Sequence, residues 1–152
     1  MHQPSDIVFI WPLVAAAVLG ACMGFERTLA GKHAGMRTYA LVSLGSSLFV
    51  ICGTLAAFQL SIFSGINPLA IASNVVVAIG FLGVGLSVFR GEHPVELTTA
   101  AGLWVVAGVG MACGFGFYGI AVTSTVLSII IFSLLAKLEN KLHVRLGKEF
   151  KD

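Results

Sequence analysis

The placement of positive charge around five apolar segments constrains this chain more than any other feature of its sequence. All nine Lys and Arg residues fall after the first, third or fifth segment. Positive residues concentrate on the cytoplasmic side of membrane proteins. The pattern therefore predicts five spanning helices, with the N-terminus outside and the C-terminus in the cytoplasm. The predicted spans are Ile7–Phe25, Thr38–Phe58, Leu69–Phe89, Thr98–Phe115 and Gly119–Ala136. The positive residues are Arg27, Lys32 and Arg37, then Arg90, then Lys137, Lys141, Arg145, Lys148 and Lys151.

The composition agrees with an all-α integral membrane bundle. Hydrophobic residues make up 57% of the chain and charged residues only 11%, with a mean hydropathy of +0.97. Soluble domains carry about 25% charged residues, and roughly 20 apolar residues are needed to span a bilayer as a helix. We predict a transmembrane domain over residues 1–136 and a basic, amphipathic cytoplasmic tail over residues 137–152. The tail either continues the fifth helix or lies on the inner leaflet.

Enzymatic function is not expected from this sequence. It contains no Gly-rich phosphate loop followed by Lys-Ser/Thr and no Ser/His/Asp or Cys/His arrangement suited to a soluble active site. No cofactor is predicted, and Cys22, Cys52 and Cys113 are expected to behave as small apolar residues rather than metal ligands. The net charge of +2 lies on one face, which favours contact with membrane lipid and implies no nucleic-acid partner.

Small residues recur at a spacing that lets membrane helices approach closely. Gly20/Gly24 and Gly110/Gly114 are two such pairs among 18 glycines. They either pack helices within one protomer or form a face between protomers. A homo-oligomer, with a dimer favoured, is the expected assembly.

A weak internal repeat occurs at an offset of 60 residues. It either relates spans one and two to spans three and four as similar hairpins, or reflects chance in a Gly- and Ala-rich chain. A true repeat would bring the two inner loops together around a pseudo-axis. The matches are Gly20, Gly31, His33, Thr38 and Ala40 with Gly80, Gly91, His93, Thr98 and Ala100.

The first inner loop carries the charges most suggestive of function. Glu26 and Arg27 follow the first span directly, where burying either charge alone would be costly. Arg37 then precedes Thr38, an expected N-cap of the second helix. This loop is either a charged anchor that sets topology or a cluster at the cytoplasmic mouth that binds an ion, a headgroup or a partner.

The inner loop after the third span brings a further acid to the same side. Magnesium prefers oxygen ligands and keeps several waters, so Glu26 and Glu96 are candidate ligands for a weakly held Mg²⁺. Thr98 and Thr99 either add hydroxyl groups to this mouth or cap the fourth helix. Asn74 lies in the third span and is expected to make an interhelical hydrogen bond. The predicted cytoplasmic-mouth cluster is Glu26, Arg27, Arg37, Thr38, Glu96, Thr98 and Thr99.

Four sequence blocks resemble the signatures of the MgtC/SapB membrane proteins. The resemblance implies a bacterial inner-membrane protein of five spans, linked to survival at low magnesium and, in some members, to virulence. It also implies a connection to a membrane ATPase or transporter, since some members restrain the membrane ATP synthase. The blocks are Gly24–Arg27 with Gly31–Thr38 and Leu41–Ser46, then Ile79–Gly85, Leu97–Trp104 and Gly114–Tyr118.

The chain also departs from that family pattern. Pro12 and Ala70 stand where members often have Arg, Asn74 replaces a usual Gln, and Glu96 replaces a usual Gly. The short tail is expected to lack the cytoplasmic C-terminal domain of longer members. Two functions follow: a non-enzymatic modulator of another membrane complex, or a small homo-oligomeric cation (Mg²⁺) channel or transporter.

Overall fold

The computed structural model describes residues 7–59, 67–88, 97–139 and 141, and these residues form helices without a strand. A π-helical turn, Ile131–Leu135, continues the last helix, which runs on to Glu139. The all-helical prediction is confirmed. The five helices are α1 (Ile7–Leu29), α2 (Met36–Gln59), α3 (Pro68–Val88), α4 (Leu97–Gly114) and α5 (Tyr118–Ile130).

Within the described residues, four segments are long and apolar enough to cross a membrane, so the chain is a multi-pass membrane protein. A shorter apolar helix, Leu69–Gly85, lies within α3. Many large apolar side chains are exposed, including Trp11, Phe58 and Phe81, as expected for surfaces that face lipid acyl chains. The four long segments are Val8–Leu29, Met36–Gln59, Leu97–Gly114 and Tyr118–Glu139.

Helix α4 occupies the centre of the bundle and packs against each of the other four helices. Its inward positions are small or apolar: Gly102, Leu103, Val106 and Gly110 are all buried. Helix α3 is peripheral and contacts only α2 and α4 within the described part of the chain. The bundle is therefore built around α4.

Glycines on two helices contact the backbone of α2. A β-carbon on Gly24 would lie 2.6 Å from the Met36 Cα, and one on Gly20 would lie 2.6 Å from the Tyr39 carbonyl oxygen. From α4, a β-carbon on Gly110 would collide with the Ser43 carbonyl oxygen. Close approach of this kind lets Cα–H groups face carbonyl oxygens across the interface. Both glycine pairs thus pack helices within the protomer, which was one of the two alternatives predicted from their spacing.

The same short motif ends α1 and α4. At the end of α1, the Lys32 N–H donates to the Arg27 carbonyl and the Gly31 N–H to the Thr28 carbonyl, while Gly31 has a φ of 68°. Gly116, with a φ of 80°, closes α4 in the same way. Only glycine enters this left-handed region without strain, so these two positions fix where the helices stop.

The proposed 60-residue repeat receives no support from helix packing. Gly20 contacts α2, whereas a β-carbon on its match Gly80 would meet nothing within 4 Å. The α3–α4 pair therefore lacks the glycine crossing of the α1–α2 pair. The inner loop after the third span, including Gly91 and His93, lies outside the described residues, so its approach to the first inner loop stays a prediction.

Candidate functional site

Glu26 and Arg27 lie on the last turn of α1, not in a loop. The helix extends beyond the predicted end at Phe25, because the Gly31 motif stops it only after Leu29. Both the Arg27 Nε and one terminal nitrogen lie 2.5 Å from the Glu26 Oε2. The Arg27 side chain is only 4% exposed and that of Glu26 16% exposed. A buried pair of this kind is held by mutual neutralisation, since either charge alone would be costly.

Phe132 covers the Arg27 guanidinium. The guanidinium carbon lies 3.8 Å from the centroid of the Phe132 ring, which is within the range of a favourable cation–π contact. Phe132 belongs to the π-helical turn that follows α5 and is itself buried. From this turn the ring contacts Arg27 of α1. Turns of this π-helical type often occur at functional positions.

Gly102 provides the space in which this cluster forms. A β-carbon on Gly102 would lie 2.7 Å from the Phe132 Cζ and would collide with the Tyr39 hydroxyl oxygen. Tyr39 is fully buried and donates its hydroxyl hydrogen to the Thr99 carbonyl oxygen at 3.2 Å. Residues from α1, α2, α4 and the π-helical turn therefore meet at one point. We call Glu26, Arg27, Tyr39, Thr99, Gly102 and Phe132 the buried cluster.

The short connection between α1 and α2 is fixed by Thr28. Its hydroxyl donates to the Gly24 carbonyl oxygen at 3.0 Å and accepts the Met36 N–H at 3.1 Å. The first helical hydrogen bond of α2 runs from the Tyr39 N–H to the Gly35 carbonyl. Thr28 therefore caps α2 from the preceding helix. The prediction that Thr38 is the N-cap is wrong, because α2 begins two residues earlier and Thr38 lies exposed in its first turn.

The predicted cytoplasmic-mouth cluster does not form one surface. Arg27 and Thr99 are buried, at 3% and 1% exposure, whereas Arg37, Thr38 and Thr98 are exposed. Arg27 therefore lies inside the bundle, whereas Arg37 lies on its surface. Glu96 lies outside the described residues, so its part in a Mg²⁺ site stays a prediction.

Thr99 does not cap α4 through its side chain. Its hydroxyl is buried and has no hydrogen-bond partner among the described residues, although its carbonyl accepts from Tyr39. Helix α4 begins at Leu97, so Thr99 already lies inside the first turn. The capping role predicted for this residue is wrong.

Asn74 lies on the exposed side of α3. The predicted interhelical hydrogen bond is not made within the described part of one protomer, since α2 and α4 pack on other faces of α3. Asn74 therefore presents an amide group towards the bilayer, where polar groups favour contact with another helix.

The described residues offer few side chains that could bind a metal ion together. Across residues 7–59, 67–88, 97–139 and 141, no group of three His, Cys, Asp or Glu side chains comes together. Glu26 already has Arg27 as its counter-ion, so a cation bound there would compete with a buried guanidinium.

A second polar feature lies between α2 and α4. The hydroxyls of Ser43, Ser47 and Thr99 are buried and have no partner in the described structure. Other buried hydroxyls behave differently: Ser46 donates to Val42 and Thr125 to Ala121, one turn back on their own helices. The three unpartnered groups make the interior of the bundle more polar than its composition suggests.

Sequence reasoning did not identify Tyr39, Gly102 or Phe132 as members of the site. Tyr39 could have been identified from the sequence, because a tyrosine near the start of a span needs a hydrogen-bond partner for its hydroxyl when it is buried. The role of Phe132 depends on the π-helical turn, which no sequence pattern in this chain indicates.

Comparison of the sequence with those of known proteins identifies relatives of this chain. The model of the MgtC family matches residues 13–141. The YhiD protein of Escherichia coli (strain K12), named as a candidate magnesium transporter, is 38% identical over 136 residues, covering 88% of this chain and 63% of YhiD. Protein MgtC of Brucella abortus (strain 2308) is 38% identical over 126 residues, covering 83% of this chain and 50% of that protein. Protein MgtC of Salmonella typhimurium (strain LT2) is 35% identical over 135 residues, covering 89% and 55%.

The chain thus spans between 50% and 63% of the length of these relatives. No solved structure matches the chain significantly.

Proposed function

Since the chain belongs to the MgtC family, we propose that it is a non-enzymatic modulator of another membrane complex in magnesium or membrane-energy homeostasis. We further propose a bacterial inner-membrane location with five spans, the N-terminus outside and the C-terminus in the cytoplasm. The placement of Lys and Arg on one side supports this topology. The names of the relatives support the link to magnesium.

The packing of α4 is the observation that carries the modulator proposal. This helix fills the axis of the bundle, and its residues Gly110 and Gly114 contact the α2 backbone at Ser43 and Ser47. An ion path enclosed by one protomer would need that space. The buried Arg27 is neutralised by Glu26 and covered by Phe132, so its charge is paired inside the bundle and does not line a wet passage.

The partner we propose is a membrane ATPase or transporter. Arg37 and Thr38 are the members of the predicted cluster that remain exposed at the start of α2. They offer a charged and a hydroxyl group at the headgroup level, where a neighbouring membrane protein can approach.

We also propose a homodimer through α3. Asn74, Val77, Phe81 and Val84 are exposed and follow a three–four spacing along one face, which is typical of helix–helix seams. An amide within such an apolar face gains most by hydrogen bonding to its equivalent in a second copy.

The alternative is a homo-oligomeric Mg²⁺ channel or transporter. The unpartnered hydroxyls of Ser43, Ser47 and Thr99 favour it, because buried polar groups inside a membrane bundle often mark a transport pathway. The name of YhiD points in the same direction.

Magnesium flux into proteoliposomes distinguishes the two proposals. Modulation predicts the same flux with and without the protein, while a known magnesium channel reconstituted in parallel conducts. It also predicts that ATP hydrolysis or ion pumping by inverted membrane vesicles changes when the chain is produced. Protein-dependent flux that falls in a Ser43→Ala/Ser47→Ala variant would overturn the modulator proposal.

A further inference from the structure

We propose that the groove between α2 and α3 binds an acyl chain of an anionic phospholipid whose phosphate group is held by Arg37 and Thr38. This site uses Arg37 and Thr38, the same exposed residues that the modulator proposal offers to a partner, but its test needs no partner protein. In this proposal, the ligand of the exposed Arg37 and Thr38 is a phosphate group.

The groove is lined mainly by apolar side chains, has a volume of about 310 Å³ and lies on the side of the bundle. Its one polar wall residue, Ser46, donates its hydroxyl hydrogen to the Val42 carbonyl oxygen at 2.9 Å and so offers the groove no free donor. A ligand that fits these walls has to be hydrocarbon. The walls include Leu41, Gly45 and Phe49 of α2 and Val75, Ile79 and Leu82 of α3.

Gly45 sets the depth of the groove. A β-carbon at this position would meet nothing within 4 Å, so the glycine is not required for contact between helices. Leu41 and Phe49 are eight residues apart on α2, which corresponds to about 12 Å along the helix axis. An extended segment of an acyl chain matches that length.

The end of the groove nearest the start of α2 carries the headgroup ligands. Arg37 precedes Leu41 by one turn and Thr38 precedes Val42 by one turn, so each lies on the same face of α2 as a groove residue. Side chains on a helix point towards its N-terminus, which directs both towards the bilayer surface. Arg37 and Thr38 are exposed.

Charge favours a phosphate at this position. Within the described part of the chain Arg37 has no ion pair, and Glu26 is paired with Arg27. The first turn of α2 adds the positive end of a 24-residue helix. A headgroup without a compensating ammonium keeps its full attraction to this site, so phosphatidylglycerol should bind better than phosphatidylcholine with the same acyl chains.

Native mass spectrometry of the full chain, purified in detergent, measures this preference directly. We expect phosphatidylglycerol to be retained over phosphatidylcholine, and Arg37→Gln to weaken that retention about fivefold, as expected for one cation of about 1 kcal/mol at a membrane surface. Gly45→Leu should also weaken retention by filling the groove. If Gly45→Leu does not fold, Leu41→Trp fills the same groove from its exposed wall.

Two matched variants separate the site from general effects. Lys141→Gln removes an exposed cation from another part of the chain, and Gly108→Leu adds the same side chain at another glycine with nothing within 4 Å. Both should retain phosphatidylglycerol like the unaltered protein. An excess of glycerol phosphate should not displace the lipid, because it lacks the acyl chain.

Equal retention of the two lipids would overturn the proposal. Equal losses in Gly45→Leu and Gly108→Leu would do so too, as would displacement by glycerol phosphate alone. If Gly45→Leu instead changes the oligomeric mass without changing lipid retention, a second copy occupies the groove and the lipid proposal fails.

Discussion

The Tyr39 hydroxyl donates a hydrogen bond to the Thr99 carbonyl oxygen at 3.2 Å, although the two residues are 60 positions apart in the sequence. Both are buried, Tyr39 on α2 and Thr99 in the first turn of α4. This bond ties the start of the central helix to the helix that carries Arg37. It also lies beside Gly102, whose missing side chain leaves room for the Tyr39 ring.

Tyr39→Phe should destabilise the bundle modestly. The ring still packs, but the Thr99 carbonyl loses its buried donor, which costs about 1 kcal/mol. Thermal unfolding in detergent, followed by helical circular dichroism, measures the change. Tyr118→Phe is the control because Tyr118 lies half-buried at the other end of the bundle; equal shifts in the two variants would contradict this role for Tyr39.

Gly110→Ala should weaken the α2–α4 interface although alanine favours the helix. Its β-carbon would collide with the Ser43 backbone, and overpacking of this kind costs about 1–3 kcal/mol. At Gly108, on the same helix, the added β-carbon meets nothing within 4 Å. Gly108→Ala should therefore be neutral or stabilising. The two variants are compared by unfolding in mixed detergent and denaturant, where equal stabilities would show that the interface tolerates separation.

The sequence predicted the helices and their close crossings better than it predicted the site. Apolar length placed all five helices within a few residues, and the spacing of Gly20/Gly24 and Gly110/Gly114 identified close approaches to the backbone of α2. These features depend on local composition. The burial of Arg27 and the exposure of Arg37 depend instead on how α1 and α2 rotate about their axes, which only the packed bundle decides.

The errors at the helix starts have a similar cause. Thr38 matched the residue type of an N-cap, but Thr28 reaches across from α1 and caps the Met36 N–H. Phe132 meets Arg27 from within a π-helical turn, 105 residues further along the chain. Neither contact is local in sequence, so neither leaves a short motif.

The buried ion pair makes a prediction that separates charge pairing from packing. Glu26→Gln leaves Arg27 buried without a counter-ion, and removing one partner of a buried pair costs about 3–5 kcal/mol. Since Arg27 is 4% exposed, we expect a large loss of stability. The double variant Glu26→Gln/Arg27→Met, with the charge removed and the stem retained, should be more stable than Glu26→Gln alone.

The unfolding free energies of Glu26→Gln, Arg27→Met and the double variant, each compared with the unaltered protein, form a double-mutant cycle. Additive losses would mean that the two charges do not interact. The same reasoning affects transport assays: reduced flux in Glu26→Gln would not by itself identify an ion ligand, because the variant also disturbs the fold.

Asn74 predicts how two copies associate. If its amide pairs with the same amide in a second protomer, Asn74→Ala should weaken dimerisation by about 1 kcal/mol, or roughly fivefold. Ser73 is the matched control, because it is also exposed on α3 but already donates to the Ala70 carbonyl at 2.8 Å. Energy transfer between labelled copies in nanodiscs or vesicles, measured against protein-to-lipid ratio, gives the dimer constant. Dimerisation that is unchanged in Asn74→Ala, or lowered equally by Ser73→Ala, would assign the contact to another face, since only Asn74 offers both a donor and an acceptor on the α3 seam.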